Sequence, residues 1–84
     1  MLEWTKKGRR EAPDINAVII TYTEPSGRYT IESRRYKKKN LRGGTWTYTE
    51  YVLIYPDGHE KTCWRLADAK AVAEFAMWAA AEGE

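Results

Sequence analysis

The chain changes period once, near Trp64, and that switch decides the class of fold. Before it, β-branched and aromatic residues recur in short runs separated by turn residues; after it, apolar residues recur at helical spacing among eight alanines. A period of two belongs to strands with one buried face, and a spacing of three and four to one side of a helix. A run of strands closed by one helix excludes the βαβ alternation of parallel sheets. It predicts an α+β domain: a three- or four-stranded antiparallel sheet with one C-terminal helix packed on one face.

Turn residues place the elements. Residues 1–14 carry Trp4 and mixed charges around Gly8 and Pro13 with no period, and read as an N-terminal arm or short edge strand anchored by Trp4. Residues 15–64 form the sheet. Ile15 to Thr23 is dense in β-branched residues and stops at Glu24-Pro25-Ser26-Gly27, a strand followed by a turn. From Arg28 to Tyr36 the chain alternates, with Tyr29, Ile31 and Ser33 on one face and Arg28, Thr30, Glu32 and Arg34 on the other. Thr45 to Tyr55 has almost no polar face and is predicted to be the central strand. Pro56-Asp57-Gly58 then turns the chain back for Glu60 to Trp64. The helix is expected over 66–81, with Leu66, Ala69, Val72, Ala73, Ala76, Met77 and Ala80 on its core-facing stripe. Arg65 stands where an N-cap acceptor is usual and cannot accept the free N–H groups.

Size and composition bound the rest. Eighty-four residues make one domain, since a chain this short buries only about 60–65% of its unfolded surface and cannot divide it between two cores. Four Trp, six Tyr and one Phe compensate, because each buried ring removes about 150–250 Å² from water. No segment approaches the ~20 apolar residues of a membrane span, and the start lacks the apolar stretch of a signal peptide. A cytoplasmic protein is expected, in the host cytoplasm if phage-encoded. Cys63 is the only cysteine and His59 the only histidine. Neither a disulfide nor a cysteine-based zinc site follows, and a Cys63–His59 dyad spaced by four along a strand would place the side chains about 13 Å apart. Glu32, Glu50 and Glu60 read as cross-strand partners of Arg and Lys, and Gly43-Gly44 matches no nucleotide-binding fingerprint. No enzyme, metal or cofactor is expected.

Charge is the strongest functional signal. Six of the nine residues from Arg34 to Arg42 are basic: Arg34, Arg35, Lys37, Lys38, Lys39 and Arg42. A second run, Lys6, Lys7, Arg9 and Arg10, lies near the N-terminus. Residues 1–42 hold eleven basic and five acidic side chains, residues 43–84 three and seven. The halves are thus +6 and −4 within a net charge of +2, a polarity that steers a polyanion to one side. Lysines neutralise phosphates and release counterions, arginines add bidentate contacts, and Tyr36, Trp46 and Tyr48 offer rings for stacking on unpaired bases. The basic run is read as a loop between two strands, serving either as a phosphate grip or as a solvated, charge-bearing connection with the aromatics in the core.

The order strand, strand, strand, helix, with Pro56-Asp57-Gly58 before the last strand and Leu66-Ala67-Asp68-Ala69-Lys70-Ala71-Val72-Ala73-Glu74 opening the helix, resembles small phage and prophage domains. It is similar in outline to the arm-type N-terminal DNA-binding domain of phage integrases and to the AP2 family. The resemblance covers residues 46–81. It implies DNA binding through an exposed sheet face, with Arg28, Arg34, Trp46, Tyr48 and Lys61 as contacts.

The expected function is non-catalytic nucleic-acid binding, DNA first, in a phage or mobile-element setting. The interface residues would be Arg34, Arg35, Lys37, Lys38, Lys39, Arg42, Trp46, Tyr48, Lys6, Lys7, Arg9 and Arg10. The alternative is a phage-type protein-interaction module that inhibits a host enzyme, as anti-CRISPR proteins do. Trp78 raises that alternative, because it falls about 160° from the core stripe of the helix. Either the helix end curls and Trp78 packs over the sheet edge or Trp4, or it forms a homodimer or partner contact.

Overall fold

A computed structural model describes residues 3–39 and 41–82, with only the backbone of Glu82. Met1, Leu2 and Asn40, parts of the expected arm and connection, lie outside the described residues, as do Gly83 and Glu84. Five strands precede the helix: β1 (Thr5–Ala12), β2 (Ala17–Thr23), β3 (Thr30–Lys39), β4 (Thr45–Ile54) and β5 (Glu60–Cys63), followed by α1 (Leu66–Glu82). They form one antiparallel meander in the order β1-β2-β3-β4-β5. The sheet with one C-terminal helix against it is the expected α+β architecture. The strand beyond the expected four is β1, the N-terminal stretch, which pairs with β2 along its length and bulges between Lys6 and Gly8.

Turn chemistry sets the hairpins. Pro25 opens the turn after β2, the Gly27 N–H donates to the Glu24 carbonyl at 2.9 Å, and Gly27 takes a positive φ of 74°. Pro56 opens the β4–β5 turn in the same way, with the Gly58 N–H donating to the Tyr55 carbonyl at 2.9 Å. Strand β2 begins at Ala17, two residues later than the expected Ile15. The reason is Asn16, whose φ of 54° is left-handed and breaks the extended chain there.

Strand β4 is not central. That place belongs to β3, and β5 pairs only with Tyr51 to Ile54. Val52 and Leu53 are buried, whereas Thr45 to Thr47 are exposed.

Cross-strand register sorts the side chains onto two faces. On the helix face Tyr22, Ile31 and Leu53 align across β2, β3 and β4, with Ser33, Tyr51 and Cys63 in the next row. Ile31, Leu53, Ala69 and Ala73 are fully buried and form the core with Tyr29 and Cys63; Trp4, just before β1, packs against it. Alanines at the helix contact let its axis lie close to a sheet whose bulk comes from rings and branched side chains. Leu66, Val72, Ala76 and Met77 complete the expected stripe, but Ala80 is exposed near the helix end. The first helical turn starts from the Arg65 carbonyl, which accepts from the Ala69 N–H at 3.1 Å.

On the open face, Ile19 and Val52 are buried without a helix above them. The register sets Ile19 between Arg10 and Arg34, and Val52 between Glu32 and Thr62. A charged layer covers this second apolar centre: Arg34 meets Glu32 at 2.6 Å and Glu60 at 3.9 Å, and Arg10 meets Glu32 at 3.5 Å. The long apolar stems of arginine shield methyl groups while their heads stay paired.

Candidate nucleic-acid interface

Most of the basic run is strand, not loop. Strand β3 continues through Lys39, because Tyr36, Lys37, Lys38 and Lys39 pair with Tyr48, Thr47, Trp46 and Thr45 of β4. Only residues 40–44 connect the strands, with Gly43 at a φ of 81°. Strand β2 reaches no further along β3 than Tyr36, and β5 no further along β4 than Tyr51. From Lys37 to Thr47 the chain is therefore a two-stranded ribbon projecting beyond the sheet, which draws the molecule out to 54 × 22 × 20 Å. Asn16 braces the ribbon at its base: its carbonyl accepts from the Lys37 N–H at 3.0 Å, and its side-chain amide donates to the Lys37 carbonyl at 2.8 Å.

Strand alternation divides the cations. Arg35, Lys37 and Lys39 point to the helix face, where β1 adds Arg9; Arg34 and Lys38 point to the open face. Same-face neighbours along a strand stand about 6.7 Å apart. Arg35, Lys37, Lys39 and Arg9 are exposed and have no ion-pair partner among the described residues. Arg34 differs: burial works against its charge, but the Glu32 carboxylate, with Tyr36 and Glu60, outweighs that and raises its pKa. Its charge is engaged within the protein. Arg10 shares Glu32, whereas Lys6 and Lys7 are exposed on β1. Arg42 lies in the tip connection, beside a fully exposed Leu41.

Aromatic rings line the open face of the ribbon. Tyr36 stacks on Tyr48 with centroids 5.0 Å apart and planes 20° apart, and Trp46 follows at 5.4 Å. Lys38 holds its ammonium 5.8 Å from the Tyr48 ring centre, within cation–π range. Ala12 and Ala17, in the same cross-strand row, are small and leave room for Tyr36. Burial raises the Tyr36 pKa, and so does the hydrogen bond its hydroxyl donates to the Glu50 carboxylate at 2.8 Å. The ladder ends at Trp46, which is 49% exposed.

Other expected contacts are dispersed. Lys61 aligns with Leu53 and so belongs to the helix face, at the far edge of the sheet from β1. Arg28 precedes β3 and borders a groove with Tyr29, Met77 and Ala80. Cys63 is buried under the helix, while His59 is exposed in the β4–β5 turn, stacked on Tyr55 and 2.5 Å from Asp57. No cluster of His, Cys, Asp and Glu among the described residues could hold a metal ion. No helix among them is long and apolar enough to cross a membrane.

Trp78 does not pack over the sheet edge or Trp4. It is 60% exposed on the outer side of α1, beside Phe75, itself 67% exposed, with ring centroids 6.0 Å apart. The sequence reading missed Phe75, although its spacing of three from Trp78 was the available signal. It also missed Leu41, which carries none, and the split of the basic run between two faces. That split was readable had the alternation of Arg28 to Tyr36 been carried on through Lys39. Compared with family models, curated proteins and solved structures, the chain matches none.

Proposed function

We propose that this chain is a DNA-binding module whose contact element is the β3–β4 ribbon. The observation that carries this reading is the shape and chemistry of the ribbon together: two strands free of neighbours on either side, Lys37, Lys38 and Lys39 on one, Trp46 on the other, and an exposed Leu41 at the tip. A two-stranded ribbon fits the major groove, and an apolar tip residue can wedge between base steps from the minor groove. Lys37 and Lys39 would hold phosphates with Arg35 and Arg9, while Trp46, at the open end of its ladder, stacks on a base or packs against a sugar. Arg42 lies near enough to the tip to join them.

Anisotropy of labelled double- and single-stranded DNA at two salt concentrations tests the reading, with a Lys37→Glu/Lys38→Glu/Lys39→Glu variant alongside. Each neutralised phosphate contributes about 0.9 to the slope of log K against log salt. Losing the Lys37 and Lys39 contacts should flatten that slope by about 1.8. Absence of binding by the native chain at low salt would discard the proposal.

A second reading is favoured by a different observation, the exposed Phe75–Trp78 pair. In that reading the outer side of α1 engages a protein, such as a host enzyme that the chain inhibits. Its partner would be retained by the triple lysine variant and lost on Trp78→Ala, since exposed aromatic residues carry most of the energy of such contacts.

A further inference from the structure

Two surfaces of this molecule complement each other. The first is a groove of about 460 Å³ on the helix face, on the part of the sheet that α1 does not cover. Val18, Ile20 and Tyr51 are half-buried on its floor, and Arg9, Arg35 and Lys37 stand around it. None of these cations has an acidic partner among the described residues. The second surface is the Phe75–Trp78 pair, which projects from the side of α1 opposite the sheet. Its helix carries one basic and three acidic residues. One surface is thus a cationic hollow with an uncovered apolar floor, and the other an apolar knob on an acidic element.

We propose that the Phe75–Trp78 knob of one copy docks into the basic groove of another, head to tail. The opposite charges of the two halves of the chain align the copies in that sense. Because knob and groove are different surfaces, the contact is heterologous: each added copy leaves one groove and one knob open, so the assembly grows into a ring or filament. Two rings offer at most about 150–250 Å² each, well below the roughly 800 Å² per partner of a stable interface. Association is therefore reversible, rising with concentration and weakening with salt. It does not depend on DNA.

Sedimentation velocity of the full chain over a concentration series, at low and high salt, reads this directly. The weight-average mass should climb past that of a dimer at low salt and fall back toward the 9.8 kDa monomer at high salt. A knob variant, Phe75→Ala/Trp78→Ala, and a groove variant, Arg9→Glu/Arg35→Glu, should each be monomeric alone. Mixed, they should form a one-to-one pair and nothing larger, since one open groove and one open knob remain between them. Circular dichroism checks that each is folded, and Arg35→Ala/Lys37→Ala replaces the groove variant if it is not. A native chain that stays monomeric throughout, a groove variant that still dimerises, or a mixture that does not associate would each overturn the proposal.

Discussion

Glu24 holds the first hairpin turn from within. It is 3% exposed, and its carboxylate accepts from the backbone N–H groups of Ser26 at 2.8 Å and Arg28 at 3.0 Å, from the Tyr29 N–H, and from the Ser26 hydroxyl. Burial alone would raise its pKa, but the Ser26 hydroxyl and these N–H donors outweigh burial and hold it below the ordinary value of 4.5. A carboxyl depressed in the folded state contributes stability above its unfolded pKa, and that contribution is lost as pH falls through the folded value. Acid should therefore loosen this turn below about pH 4. Glu24→Gln should cost about 1.5–3 kcal/mol at pH 7, the range of hydrogen bonds to a charged group. Urea unfolding at pH 7 and pH 3 checks both, since the gap between native and variant chains should be smaller in acid. At the other end of the molecule, Trp46→Ala should weaken single-stranded DNA binding by about 1–3 kcal/mol, the range for loss of one base–aromatic stack. The same substitution should leave the melting temperature nearly unchanged, because Trp46 lies on the projecting ribbon.

Ribbon and core separate at the level of elements. Replacing residues 37–47 by Asn-Gly would close β3 onto β4 just beyond the Tyr36–Tyr48 pair, with a turn suited to two-residue hairpins. The shortened chain should keep its cooperative melt and lose DNA binding, as anisotropy and circular dichroism together would show. The helix contact responds in the opposite way. Ala73 is fully buried against the sheet, so Ala73→Leu should cost about 1–3 kcal/mol through overpacking, measured as a lower urea midpoint. Hairpin turns and helix were legible in the sequence because Pro25, Gly27, Pro56 and Gly58 act locally and the apolar stripe from Leu66 to Met77 keeps helical spacing. The ribbon was not. Lysine is a poor strand former by itself, and Lys37 to Lys39 are extended because Thr45, Trp46 and Thr47 lie opposite them, a condition set on the far side of the connecting turn. Strand β1 was read as an arm or a short edge strand, and it is an edge strand; seven of its eight residues are exposed, which left no alternation to decide between the two. The groove depends on register among four strands, and register is a property of pairs rather than of any one segment.

For the whole molecule, the ribbon makes shape measurable. The Cα radius of gyration is 14.8 Å, where a compact chain of this length would have about 12 Å. Small-angle scattering of dilute protein in high salt should give the larger value, and deletion of the ribbon should bring it down. A shape of this kind also bears on how such a sequence can change. Residues of the ribbon touch little that the core requires, so the alphabet at its tip and along its two faces can be respelled without renegotiating the fold. Substitutions there leave the fold standing, and substitutions around Ile31, Leu53 and Ala73 alter whether there is a protein at all. A lineage carrying this chain is thus free to vary its ribbon while standing still in its architecture.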